Sequence, residues 1–303
     1  MNYLCFDIGG TSIKYGVADE KGALLLKGEV PNEIMQRGVK GFVESLAGLA
    51  DRYRQEYDLR GIAVSTAGVV DPEQGVILYA PKYFPGYPGT HLQELLEART
   101  GLPCTVENDV NAAALGEYWL GAGRGAKSLF CITVGTGIGG CAILDGRVIH
   151  GASCSAGEAG LQQIRPEGTW EELASTSALI RNVAKAKQVP EAELNGRKIF
   201  AMAQQGDTIA AAAIVKQMED IAAGIANICY ILNPERVIIG GGIAAQEKYL
   251  HPVLDGALRK KLLPLVYDHL TLCFASLKND AGMIGALCNF LTREKERKKL
   301  KST

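Results

Sequence analysis

The stretch LCFDIGGTSIKYGVAD, residues 4–19, decides the fold. An apolar run ends on the carboxylate Asp7, passes through Gly9, Gly10 and Thr11, and returns at once as a second apolar run. Two short strands joined by a tight glycine turn are predicted. The stretch FCITVGTGIGGCAILD, residues 130–145, repeats the plan with Gly135, Thr136 and Gly137 at its turn. Two segments that each open on such a hairpin predict a duplicated domain with a cleft between the copies. Consecutive backbone N–H groups in a turn of this kind form an anion cradle. Glycine lets a phosphate approach the backbone closely, and threonine adds a hydroxyl donor. A third glycine-rich strand end follows at Gly240, Gly241 and Gly242 in ERVIIGGGIA.

Outward from these hairpins, strands and helices alternate, so the expected class is α/β. GALLLKGEV reads as a third strand. GVKGFVESLAGLADRYRQEY has helical spacing, with Phe42, Leu46, Leu49 and Tyr53 on one face. YAPKYFPGYPGTH is rich in Pro and Gly and reads as irregular, and LQELLEART reads as a helix stopped by Gly101. CTVENDVNAAALGEYWLGA reads as strand, polar turn and a helix starting near Asn111. GCAILDGRVIHG reads as a hairpin on an Asp-Gly turn. A helix-rich, alanine-rich middle spans 170–230, and the chain closes on a helix through DAGMIGALCNFLTREKERKKL.

The totals exclude several classes. Of the 303 residues 47% are hydrophobic and 21% charged, which allows a packed core and argues against disorder. A net charge of -1 advertises neither nucleic acid nor an anionic membrane as a partner. Eight cysteines, none in a CxxC pair and several inside apolar runs, predict reduced core thiols. No run reaches the roughly 18 apolar residues of a membrane span, and no leader-like start is seen, so a cytoplasmic protein is expected.

Two further glycine patterns fail on context. GTGIGG at 135–140 and GAGRGA at 121–126 satisfy the dinucleotide spacing, but each is followed by strand rather than helix. GAGRGAKS approaches a nucleotide-binding P-loop, with Ala126 where glycine is required and again a strand behind it.

The paired hairpins resemble the ATPase fold shared by sugar kinases, actin and the large heat-shock ATPases. ENDVNAAALGEYWLGAGRG narrows the resemblance to the ROK family, the repressor, open-reading-frame and kinase group. ITVGTGIGG, AGEAG and NPERVIIGGG follow in family order, so the resemblance spans nearly the whole chain. It implies an actin-like ATPase (ribonuclease H-like) fold of two similar α/β domains. One is expected at 1–115 plus 281–303, and the other at 116–280. It implies ATP and Mg²⁺, with transfer of the γ-phosphoryl group to a sugar hydroxyl, O6 foremost. Asp109 is then the general base, and Asn108, Glu158, Glu171 and Gly68 contact sugar, with Glu172 as the fallback for Glu171. Asp7 holds Mg²⁺ through water, beside Gly9, Gly10, Thr11 and Lys14. Gly135, Thr136, Gly137 and Gly139 take phosphate, and Gly240, Gly241 and Gly242 cover adenosine.

Repressor members of the family carry a winged helix-turn-helix ahead of the first phosphate motif, which here begins at Asp7, so the kinase branch is expected. A sugar-sensing protein of the same fold without turnover is the alternative. No nucleic-acid or membrane partner is expected, and a homodimer is left open. Three departures stand out. GEAGL puts Leu161 where the family has a histidine that touches sugar and zinc. LQQIRPEGTWEELA, residues 161–174, has none of the family's zinc cysteines, so no zinc is expected. KYFPGY has Lys82, Tyr83 or Phe84 in place of a family asparagine.

Overall fold

The computed structural model describes residues 1–301, which divide into two units. Unit 1 comprises residues 1–124, 150–155 and 279 onward; unit 2 comprises 125–149 and 156–278.

In unit 1 the strands are β1 (Asn2–Ile8), β2 (Ser12–Asp19), β3 (Leu24–Pro31), β4 (Leu59–Thr66), the small hairpin β5 (Val69–Asp71) and β6 (Val76–Tyr79), and β7 (Cys104–Asn108). Its helices are α1 (Ile34–Tyr53), α2 (Leu92–Thr100) and α3 (Asp109–Leu120), with the closing helix of the chain described below. The sheet order is β3-β2-β1-β4-β7, with β1, β4 and β7 parallel and the two hairpin pairings antiparallel.

Period-2 alternation in β1 decides what each residue meets. Leu4, Phe6 and Ile8 join the core beneath α1 and α2, built on Phe42, Leu46 and Leu96. Tyr3 and Cys5 face the other way, into a second core with Met283, Leu287 and Phe290. Asp7 continues that second row. Burial pushes the Cys5 thiol up to about 12, which makes it an inert packing group.

In unit 2 the strands are β8 (Ser128–Val134), β9 (Ile138–Leu144), β10 (Arg147–Val148), the small pair β11 (Gln163–Arg165) and β12 (Gly168–Thr169), β13 (Arg236–Gly241) and β14 (Thr271–Phe274). Its helices are α4 (Trp170–Ala174), α5 (Thr176–Lys187), α6 (Gly196–Gln204), α7 (Thr208–Leu232), α8 (Glu247–Lys261) and α9 (Pro264–Tyr267). The chain then re-enters unit 1 as α10 (Ala281–Lys301). The sheet order β10-β9-β8-β13-β14 repeats that of unit 1 strand for strand, with the same parallel and antiparallel pairings. The expected duplication is therefore one of topology.

Local chemistry explains where elements start and stop. Asp145 and Gly146 both take positive φ (49° and 77°), as the predicted Asp-Gly hairpin turn requires. α2 stops at Gly101, in the left-handed conformation at φ 68°. α1 differs from its expected span: it starts at Ile34, breaks its helical geometry at Gly38 and ends at Tyr53. α3 starts at Asp109 rather than near Asn111, because the Asn108 side chain caps it. Among the described residues no helix is long and apolar enough to cross a membrane.

Candidate active site

In each unit the functional candidates gather at the carboxyl ends of the parallel strands, the usual binding edge of such sheets. Across unit 1, Asp7, Ser65 and Glu107 occupy one cross-strand row, because Asp7 registers with Ser65 and Ser65 with Glu107. Ser65 Oγ donates to Asp7 Oδ1 at 2.9 Å, and Lys14 Nζ lies 3.7 Å from Asp7 Oδ2. Burial pushes the Asp7 pKa up against the lowering pull of Ser65 and Lys14. A methyl group on Gly282, at the start of α10, would stand 2.6 Å from Asp7 Oδ1, so that glycine is what seats the carboxylate.

The first turn is closed by Gly9 N–H donating to the Ser12 carbonyl at 3.0 Å. Buried Asn32 braces it, with Nδ2 donating to the Gly9 carbonyl (2.8 Å) and the backbone N–H to that of Thr11 (3.0 Å). The ring of Tyr83 packs beside Gly10, where a methyl would stand 2.8 Å from its Cε2.

The Asn108-Asp109 turn is held from three sides. Asn108 Oδ1 accepts from the N–H groups of Val110 (2.9 Å) and Asn111 (3.0 Å). Asn108 Nδ2 donates to the Gly68 carbonyl (2.8 Å) and to Asp109 Oδ1 (3.0 Å), which also accepts from Val110 N–H at 2.9 Å. Asn108 thus joins this turn to the backbone just past the end of β4. Gly68 has φ 109°, and a methyl there would meet the Tyr79 carbonyl at 2.3 Å, so its glycine identity is a demand of the backbone.

Behind the turn lies Glu107, fully buried. Its Oε1 accepts from Asn108 N–H (2.9 Å) and Asn111 Nδ2 (3.0 Å), while His150 Nε2 donates to Oε2 at 2.9 Å. His150 to Ser155 form the segment that belongs to unit 1 although the chain on both sides lies in unit 2. Stripping one partner from a buried carboxylate costs about 1–3 kcal/mol. His150→Ala should therefore lower the thermal midpoint by several degrees, and His150→Gln, which keeps a donor, should restore most of it. Equal midpoints for His150→Ala and wild type in a melting experiment would contradict this assignment.

In unit 2, Gly135 N–H donates to the Gly137 carbonyl at 3.0 Å and closes the second turn, whose Gly135 carbonyl accepts from Thr176 N–H at 2.9 Å. Thr136, like Thr11, is exposed at its tip. Glu171 is turned onto this hairpin: its Oε2 accepts from Ile138 N–H at 3.4 Å and packs where a methyl on Gly137 would stand 2.6 Å away. Glu172 is spent otherwise, in a capping box with Thr169. Between them, buried Trp170 packs on Gly224 of α7 and pins the short α4 in place. Burial, followed by the charge of Glu171, raises the Glu158 pKa, and Glu171 Oε2 stands 3.2 Å from a methyl built on Gly160, two residues past Glu158. Leu161 is 62% exposed. Gly139 lies in β9, just past the turn. Gly240 and Gly241 end β13, and Gly242 begins the single helical turn that follows. Gly241 is demanded by packing, at φ 80° with Val134 backbone 2.4 Å from a methyl, whereas a methyl on Gly135 or Gly242 meets nothing within 4 Å.

Mg²⁺ takes one or two carboxylates plus phosphate oxygens. Asp7, a part-buried carboxylate with only Ser65 and Lys14 lowering its pKa, is a donor of the right kind. Among the described residues no group of three or more His, Cys, Asp or Glu side chains is arranged to hold a metal ion.

Glu107, His150, Asn32, Tyr83 and Gly282 carry these contacts; the sequence named Tyr83 only as one of three residues in place of a family asparagine and the rest not at all as site residues. The motif ENDVN contains Glu107, and its neighbours were the only signal for it. The other four act through contacts far along the chain, which no local pattern records.

Two sheets of one topology, each led by a glycine-turned hairpin, define the actin-like ATPase fold. The ROK family matches residues 3–293. A beta-glucoside kinase of Listeria innocua is 33% identical, covering 97% of this chain and 99% of its own length. A glucokinase of Halalkalibacterium halodurans is 32% identical, covering 97% and 96%. The crystal structure of a ROK hexokinase from Thermus thermophilus superposes with a TM-score of 0.85 at 33% identity, covering 97% of this chain and all of that one. The chain belongs to the ROK family.

Proposed function

We propose that this ATP-dependent sugar kinase transfers the γ-phosphoryl group to O6 of a hexose or hexose derivative. The names of its relatives put glucose and β-glucosides first, and a structural neighbour from Listeria monocytogenes described as a putative N-acetylmannosamine kinase adds N-acetylmannosamine to the candidates. The observation that carries the reading is Asp109, fixed at the carboxyl end of β7 by Asn108 and by Val110 N–H. Asp109 accepts the O6 proton as that oxygen attacks the γ-phosphorus. The O6–P bond forms, the bond from phosphorus to the β,γ-bridging oxygen breaks, and ADP leaves. Asn108 exchanges its bond to Asp109 for the neighbouring sugar hydroxyl and so sets the angle of attack. Glu158, Glu171 and the Gly68 backbone hold further hydroxyls.

Gly9, Gly10, Thr11 and Lys14 from the first turn, and Gly135, Thr136, Gly137 and Gly139 from the second, hold the phosphates. Gly240 to Gly242 border the adenosine. Asp7 would hold Mg²⁺, which when bound would neutralise phosphate charge. Leu161 brings no donor where the family has histidine, so the anomeric and C2 side of the sugar is less constrained.

Incubation with ATP and a hexose panel, followed by phosphorus NMR of the product, tests the position of transfer. A hexose 6-phosphate is expected; phosphate on another carbon overturns the O6 assignment. Elemental analysis of the purified protein should find zinc well below one equivalent. One equivalent retained through chelation would contradict the reading of residues 155–175.

A further inference from the structure

Tyr83, one of the three residues that stand in place of a family asparagine, has no part in the chemistry described so far. It is 51% exposed, yet its ring is not loose on the surface. One side lies on Gly10 of the first turn, as the 2.8 Å and 3.0 Å approaches of Cε2 and Cδ2 to a built methyl show. Its ring centroid lies 5.2 Å from that of Phe84, which stacks at 5.1 Å on Tyr87. Tyr87 is tied to the end of β4, its hydroxyl 3.0 Å from Thr66 Oγ1. Thr66 registers with Asn108 on β7. The ladder of rings thus fixes Tyr83 to the same strand ends that carry the base turn. Burial, and then the charge of Asp109, raise the Tyr83 phenol pKa, so the two side chains are within electrostatic reach.

A half-exposed ring anchored between a phosphate turn and a carboxylate is suited to a sugar. The ring offers an apolar face to C–H groups, and the phenol offers a polar handle. We propose that Tyr83 is a specificity-determining residue of the acceptor site: its ring carries the C–H face of the hexose and its hydroxyl bonds a hydroxyl beside the one that reacts. The proposal rests on the kinase reading for the identity of the acceptor.

The test uses the full-length protein with glucose, a methyl β-glucoside and N-acetylmannosamine as probes, in wild type, Tyr83→Phe and Tyr83→Ala. Acceptor KM and ATP KM are measured by ADP release, and sugar Kd by calorimetry, which needs no turnover. Tyr83→Ala should raise the best acceptor's KM and Kd by at least about tenfold, the scale of a few lost ring and hydroxyl contacts. ATP KM should stay within about twofold, and Tyr83→Phe should fall between the other two. An unchanged sugar Kd, or acceptor and ATP KM rising together, overturns the proposal; the second result would make Tyr83 a brace of the first turn. If wild type binds sugar without releasing ADP, the kinase reading fails, and loss of sugar binding in Tyr83→Ala still supports the role of Tyr83. A wild type that binds none of the three sugars overturns both.

Discussion

Asp109→Asn is expected to lower kcat by about 10² to 10⁴-fold, the usual worth of general base catalysis. The amide keeps the shape of the side chain and can still accept from Val110 N–H and Asn108 Nδ2, the two bonds that hold Asp109 Oδ1. The turn should therefore survive, and sugar Kd should change far less than kcat. The acid in the first turn of α3 also favours that helix end, an effect of about 0.3–1 kcal/mol. Only a small drop in thermal midpoint should follow. Near wild-type turnover in Asp109→Asn, read with the best acceptor, would reduce Asp109 to a helix-end residue.

Asp7→Asn should also cost most of the activity but differ in two readouts. Raised Mg²⁺ should recover part of the loss, because the substitution weakens ion placement rather than proton transfer; Asp109→Asn should not respond. Stability should also respond differently. Burial raises the folded-state pKa of Asp7 above its unfolded value, so the fold binds a proton there more readily than the unfolded chain does. The ionised carboxylate is thus a liability at neutral pH that shrinks as pH falls through the raised pKa. Asp7→Asn removes it, and the thermal midpoint at neutral pH should hold or rise while activity falls. A lower midpoint with the same Mg²⁺ dependence as wild type would contradict both parts.

The hairpins at 4–19 and 130–145 were legible because alternation and glycine turns are local signals, and they alone implied the repeated sheet. The register that aligns Asp7, Ser65 and Glu107 was not, since strands far apart in sequence set it. Asn108 was read as a sugar ligand. The structure spends its side chain on the cap, the Gly68 carbonyl and Asp109. Glycine was the least transparent residue. Gly10, Gly68, Gly241 and Gly282 look alike as letters, yet they make room for a tyrosine ring, a carbonyl, a neighbouring strand and a carboxylate. Glu171 and Glu172 were separable only by the capping box that occupies one of them.

The most direct test of the central claim is a coupled ADP-release assay with ATP and Mg²⁺ over glucose, β-glucosides, N-acetylmannosamine and other hexoses. ADP released in proportion to sugar, and only with sugar present, is the predicted result. Sugar binding by calorimetry with no ADP from any member of the panel would contradict it and make the protein a sugar sensor on a kinase fold.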